Sequence, residues 1–493
     1  MKKIYTLFAT LLFSQILFAT NIPDANFEQA LINLGYDSGT PDGVVSTANI
    51  SSINSLDVSS LFGNGLITDI TGIEDFTALT SLNCSGNQLT SLNLSNNTAL
   101  TYLNCDGNQL TSLDVSNNSA LSYLNCYGNQ LTTLDVSNNT ALSFLHCAVN
   151  DLTSLDLTNN TALTTLTCGL NLLTSLDVSN NNSIATLMCQ ANELTSLDLS
   201  NGTELTYLNC DYNDLPSLDV SDAIMLETLL CGRNQLPSLD VSNNIALTEF
   251  YCDVNQLPSL DVSNNIALIS LNCSGNDLPS LDVSNNIALT SLWCGYNLLP
   301  SLDVSNNTAL ELLDCRNNQL TGLDVSNNVA LINLHCMENS ITSLDLSNNA
   351  YLTILWCGIN QLTTLDLSQN SALVNLGCED NHLVCLNLRN GNNTIINGMF
   401  SAAGNLQLTC IEVDDVAFSD ANWVSPSFLF DSQSFFSTNC NNGCFVGLGS
   451  LSASSKVLVK IVNLLGRETT FKPNTPLIYV YDDGTSEKMF AIE

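Results

Sequence analysis

Leu100 to Ala120 reads LTYLNCDGNQLTSLDVSNNSA, and this 21-residue pattern recurs fifteen times without insertion between Leu79 and Asn393. Counted from the first residue of each unit, position 6 is Cys in all fifteen, from Cys84 to Cys378. Position 9 is Asn in all fifteen, from Asn87 to Asn381. Residues two apart on an extended chain point to the same side. Leu at position 4 and Cys at position 6 are therefore expected to face inward, as are Leu at 14 and Val or Leu at 16. No position follows a helical spacing of 3.6, and the Ser, Asn and β-branched content disfavours helix.

The first half of each unit, LxxLxCxxNxL, resembles the leucine-rich repeat with Cys in place of one Leu. The resemblance implies a β-rich solenoid with one parallel strand per unit. The LxxLxV core of the second half predicts an extended segment too, with a second sheet as an open alternative. At about 4.8 Å per stacked strand, fifteen turns make a rod of about 70 Å.

Side-chain amides at position 9 can satisfy backbone groups where a turn bends inward, and Ser-Asn-Asn-Thr turns tolerate left-handed dihedrals. The fifteen periodic cysteines fit a core file better than a metal or disulfide file. Equivalent Cβ atoms on adjacent in-register strands lie about 4.8 Å apart with parallel vectors, outside disulfide geometry, and zinc needs four converging ligands. The other four, Cys385 in the last unit and Cys410, Cys440 and Cys444 beyond it, stand near the open C-terminal end of the solenoid and suggest one or two disulfides in a C-terminal cap. Three pairings are open.

Outside the repeat the chain divides at marked changes of composition. Residues 1–19 (Lys2, Lys3, then an apolar run) read as a secretory signal peptide too short for a membrane span. Residues 20–78 form an N-terminal cap. There Asp24 is placed to cap a helix with Phe27, Ala30, Leu31 and Leu34 on one face, ended by Gly35. Ile67 to Ala78, ITDITGIEDFTA, resembles the irregular first repeats of internalin-type proteins. Residues 394–453 are a C-terminal cap and linker, in which Trp423 and the aromatic run Phe428 to Phe436 read as packing.

Residues 454–493 form a small β module with strands expected at Val457 to Val462 and Leu477 to Tyr481. Its Asn463-Leu464-Leu465-Gly466-Arg467-Glu468, Pro476 and Tyr479-Val480-Tyr481-Asp482-Asp483-Gly484 resemble the C-terminal sorting domain of the type IX secretion system of Bacteroidota. That resemblance implies the secretion machinery as a partner and a secreted or outer-surface location.

The chain has 493 residues and a net charge of −37, with only 10 Lys and Arg. Phosphate-backbone binding depends on cations, so nucleic acid is excluded as a partner. Much of the negative charge is one column: position 15 is Asp in thirteen consecutive units. These are Asp114, Asp135, Asp156, Asp177, Asp198, Asp219, Asp240, Asp261, Asp282, Asp303, Asp324, Asp345 and Asp366. Carboxylates about 5 Å apart repel, so the column should raise its pKa values, bond to the Ser column at position 13, or collect calcium. Hydrogen-bonded carboxylates are the favoured reading and weak calcium binding the alternative, with no other cofactor implied.

The outward positions of the second half barely vary, whereas those of the first half do. Position 3 includes Tyr102, Tyr123, Phe144 and Tyr207. Position 5 includes His146, Tyr251, Trp293, His335 and Trp356. Positions 7 and 8 add Tyr127, Asp211, Tyr212, Arg233, Asp253, Tyr296 and Arg316. A monotonous face beside a diversified one suits a scaffold that presents a binding surface, on which aromatics give large contact area at little entropy cost. The nine aromatic and His residues of positions 3 and 5 are the candidate ligand-binding set, for a protein or glycan partner in adhesion or recognition. The alternative is a self-associating surface or matrix component, stabilised by calcium through the Asp column. With three histidines and no Ser-His-Asp, Cys-His, CxxC or phosphate-loop constellation, no enzyme is expected.

Overall fold

The structure is a computed structural model that describes residues 18–60, 66–424, 426–440, 458–463, 476–481 and 486–490. The signal-peptide reading falls almost wholly outside the described residues. Two compact units divide between Asn442 and Gly443.

In the first unit, one three-residue strand occupies positions 3 to 5 of every repeat, from Ser81–Asn83 to Asn375–Gly377. Adjacent strands pair in parallel and in register, as Tyr102↔Tyr123, Leu103↔Leu124 and Asn104↔Asn125 do. The sheet opens at Ser55–Asp57 in the N-terminal cap and ends at Phe428–Leu429 in the C-terminal cap. Positions 4 and 6 face inward: Leu103 and Cys105 are fully buried, as is Val115 at position 16. The expected β-rich solenoid is the observed fold.

All fifteen repeat cysteines are buried free thiols. Burial pushes Cys84, Cys147 and Cys189 up to about 12, so they are held as uncharged core groups rather than nucleophiles.

The amides at position 9 tie the turns together. Asn276 Nδ2 donates to the Cys273 carbonyl of its own turn (3.1 Å) and to the Cys252 carbonyl of the preceding turn (3.0 Å). Its Oδ1 accepts from the Leu257 N–H (3.1 Å). A second amide column stands at position 19. Asn265 donates to the Val241 and Asn244 carbonyls, both at 2.9 Å.

The second half of the repeat departs from the two-sheet alternative. Between most turns it forms no strand; only single bridges pair Asp114 with Asp135 and Leu176 with Leu197. Proline at position 12 (Pro216, Pro237, Pro258, Pro279, Pro300) removes an N–H from five consecutive turns, and amide ladders take over the inter-turn bonding. A four-stranded parallel second sheet forms only toward the C-terminal cap. It is built from Thr364–Asp366, Cys385–Asn387, Cys410–Glu412 and Phe435–Ser437.

Both caps cover apolar ends. The N-terminal helix spans Ala25–Asn33, and Asp24 caps it by accepting from the Asn26 and Phe27 N–H groups. Asp24 Oδ2 also accepts from Thr68 N–H and Oγ1, binding the helix to the first irregular turn. Phe27, Ala30 and Leu31 are fully buried, but Leu34 is 40% exposed: it lies at the C-cap, past the last helical turn. In the C-terminal cap Trp423 Nε1 donates to the Ile396 carbonyl (3.1 Å), and its ring packs on Phe400 and Phe436 edge-to-face. Among the three open disulfide pairings, Cys410 joins Cys440, and Cys385 is disulfide-bonded as well.

The second unit, considered by itself, holds three antiparallel strands, Leu458–Asn463, Pro476–Tyr481 and Ser486–Phe490. The third, SEKMF, carries too little β-branched character to be read as a strand from its composition.

Candidate functional site

The variable face is the outer surface of the long sheet, where register stacks each position directly on its neighbour. Tyr102, Tyr123 and Phe144 form a continuous file: ring centroids are 4.4 Å apart at both steps, with interplanar angles of 11° and 4°. His146 packs edge-on against Phe144 and beside Tyr127 at 5.0 Å. Burial lowers the His146 pKa below its ordinary value, so it is neutral at physiological pH.

Further along the sheet the other candidates fall into separate groups. Tyr207 stands apart, its pKa raised by burial and by the carboxylates of Glu249 and Asp211. Tyr251 meets Trp293 edge-to-face at 6.0 Å, two turns away, and its hydroxyl hydrogen-bonds with the Ser270 hydroxyl (3.0 Å). Between Trp293 and Trp356 lie Asp314 and His335, paired across adjacent strands. Arg316 Nε donates to both Asp314 oxygens at 2.9 Å, and its Nη2 lies 2.9 Å from His335 Nδ1. Burial pushes the Asp314 pKa up, but hydrogen bonds from His335 and Arg316 outweigh it and hold the carboxyl below its usual range. Trp356 lies across Gly377, where a Cβ would collide with the indole ring. The nine candidates thus make an aromatic file at one end of the sheet and a mixed aromatic and charged group toward the other.

The Asp column consists of hydrogen-bonded carboxylates, the reading favoured from sequence, but with a different partner and, over most of its length, without raised pKa values. From Asp114 to Asp324 the pKa values are lowered rather than raised. Each carboxylate accepts side-chain and backbone hydrogen bonds from the Ser or Thr two residues on, as Asp261 does from Ser263 N–H at 2.9 Å. The partner is therefore the residue at position 17, not the Ser column at position 13. Solvent screening leaves neighbour repulsion weaker than these local bonds. Among the described residues no three His, Cys, Asp or Glu side chains converge to hold a metal ion.

Two features of the surface escaped the sequence reading. Ile224, Ile245, Ile266 and Ile287 at position 20 stack as an exposed aliphatic stripe along consecutive turns. Position 8, beside the sheet, has a left-handed backbone in all fifteen turns, yet only Gly86, Gly107, Gly128 and Gly275 are glycine there. The four glycines at that position were the available signal.

No family model matches the chain, and no curated protein matches it by sequence. Among solved structures, the functional domain of InlJ from Listeria monocytogenes, which includes a cysteine ladder, is 31% identical. The match covers 97% of this chain and 99% of that one, with a TM-score of 0.65. The chain belongs to the internalin-type leucine-rich-repeat proteins. The internalin InlF of Listeria monocytogenes (24% identical, 67% of this chain and 100% of that one, TM-score 0.59) shares the solenoid fold. So does a leucine-rich-repeat protein of Leptospira interrogans (23%, 78% and 97%, TM-score 0.59). The file of fifteen buried thiols is the cysteine ladder of this internalin-type solenoid. Its thiols lack the exposure and the lowered pKa that a nucleophile requires, so the file is architecture. Among the described residues no helix is long and apolar enough to cross a membrane.

Proposed function

We propose that this internalin-type protein is exported to the cell surface or medium and binds a protein or glycan partner through the outer face of its long sheet. The observation that carries the reading is the Tyr102–Tyr123–Phe144 stack, three half-buried rings at 4.4 Å spacing on a rigid sheet. Stacked aromatics held by backbone register are ordered before any partner arrives, so contact requires little further loss of freedom. The Tyr251, Trp293, His335 and Trp356 group forms the second part of the same surface, with the Arg316–Asp314 pair supplying its polar contacts.

Export rests on the apolar leader at residues 1–19 and on the resemblance of residues 454–493 to a type IX sorting domain. In this reading residues 20–78 and 394–453 close the ends of the working solenoid, 79–393.

The test replaces Tyr102, Tyr123 and Phe144 together by Ser and measures binding to a glycan array and to cell-surface proteins. Loss of about tenfold or more in affinity, with the repeat still folded by circular dichroism, is expected. Unchanged binding removes the aromatic file from the site. Export is checked separately: a chain lacking residues 454–493 should accumulate inside the outer membrane of its own cell rather than reach the surface.

A further inference from the structure

Position 8 combines strain with exposure. Val149, Tyr212, Val254, Tyr296 and Ile359 all sit there with φ between 51° and 56°. A left-handed backbone brings Cβ against the following carbonyl, and a β-branched side chain makes the conflict worse. Glycine at Gly275 and asparagine at Asn317 show that the turn accepts the two residue types that relieve this strain. The large residues do not recover the loss by burial: Tyr212 is 55% exposed, Tyr296 52% and Leu170 54%. A side chain kept against both backbone preference and water points to a contact outside the chain.

We infer that the position-8 ridge, centred on Tyr212, Val254 and Tyr296, is a docking edge for a cationic polypeptide that also carries aliphatic side chains. The inference rests on the proposed binding role of the neighbouring sheet and names the partner's chemistry. Charge sets the first requirement. Asp211, Asp253, Asp214 and Asp277 flank the ridge at positions 7 and 10, and Glu338 and Asp380 belong to it. Arg233 and Arg316 oppose them there. Arg233 lies 4.7 Å over the Tyr212 ring, and Arg316 is engaged by Asp314. An anionic chain is repelled by such an edge, whereas Lys or Arg side chains complement it. Shape and polarity set the second requirement. Val254, Ile359 and Leu170 offer aliphatic surface, which a polypeptide's apolar side chains can cover and a sugar's hydroxyls cannot.

The test uses the full chain and three synthetic peptides of equal length, alternating Leu–Lys, Ser–Lys and Leu–Glu, at about physiological ionic strength. The variant is Tyr212→Asn with Val254→Asn and Tyr296→Asn. The wild type should bind Leu–Lys at least about tenfold tighter than Ser–Lys and should not bind Leu–Glu. The variant should lose that preference while its Tm equals or exceeds that of the wild type, because Asn tolerates the left-handed backbone. Equal binding of Ser–Lys and Leu–Lys overturns the proposal, as does a variant that keeps the preference. A falling Tm makes the ridge structural and overturns it too. Ridge-dependent binding of a neutral oligosaccharide assigns the edge to glycan instead. The Tyr102/Tyr123/Phe144 serine variant separates the two readings. If it abolishes partner binding while the ridge variant does not, the sheet stands as the site and the ridge falls.

Discussion

The two asparagine ladders use the same residue for the same kind of task, with different results. At position 9 each amide works at both ends, with Nδ2 donating to carbonyls of two turns and Oδ1 accepting an N–H, as Asn276 shows. At position 19 only the Nδ2 end is engaged by protein. Every asparagine there, from Asn97 to Asn370, has a buried Oδ1 with no hydrogen-bond partner in the chain. Flipping the amide would aim an oxygen at two carbonyls, which is worse, so the orientation is set. Tolerance follows the bonding. Position 9 is Asn in all fifteen units, whereas position 19 is Gly202, Ala223 and Gly391 in three of them. A buried polar side chain holds a solenoid together in proportion to the backbone groups it satisfies, not by its mere presence.

Substitutions in and around the ladders break or sharpen that comparison. The largest effect should come from Asn276→Ala, which orphans the buried Leu257 N–H and takes one of two amide donors from each of the Cys252 and Cys273 carbonyls, and should cost about 2–3 kcal/mol. Asn265→Ala, one turn earlier in the other ladder, should cost about 1 kcal/mol. Chemical denaturation of both variants decides the matter, and equal costs would sink the distinction. Asp211 extends the logic to a charge. Its carboxylate accepts from Gly232 N–H at 2.6 Å, and burial raises its pKa to about 6 from 3.8. A folded-state pKa above the unfolded one means that the folded chain prefers the protonated acid. Stability is therefore lost as pH rises from about 4 through about 6. Asp211→Asn keeps an acceptor for Gly232 and should stabilise the chain by about 1–2 kcal/mol at pH 7, discounted for partial exposure. The gain should vanish near pH 3.5, and a pH-independent gain would show that the carboxylate's charge is not the cause.

Comparable or smaller effects belong to the groups behind and opposite the ladders. Cys231→Ser puts a hydroxyl into a fully buried file and should cost about 1–2 kcal/mol, while Cys231→Ala should cost less. In parallel, native protein should resist thiol alkylation and unfolded protein should expose all fifteen ladder thiols; rapid native labelling would contradict their burial. The smallest effect is expected from the Asp column. Those exposed carboxylates have lowered pKa values, so their contribution is present above the ordinary carboxylate range and is lost as pH falls. Asp261→Asn should leave Tm essentially unchanged, and so should a calcium chelator at low salt. A calcium-dependent rise of several degrees would assign the column to metal.

The repeat, the inward Leu and Cys files, the free state of the ladder thiols and the amide role of position 9 were legible in the sequence. A strict period makes each residue's neighbours its own copies, so local pattern and tertiary contact become the same information. The candidate face was legible as variation among copies, and Tyr102, Tyr123 and Phe144 were recognisable as a column. Their stacking was not, because ring planes depend on side-chain rotamers. Leu34 and the Cys410–Cys440 pairing lie in the caps, where no copy exists to compare. The confinement of the second sheet to the C-terminal end, the partner of the Asp column and the left-handed turn at position 8 also required the fold. Each depends on the distance and dihedral angles between successive turns, which composition and spacing leave undetermined. The sequence by itself thus determined what faces inward and how often. Only the tertiary structure decided which outward groups meet, because that depends on how closely and at what angle one turn stacks upon the next.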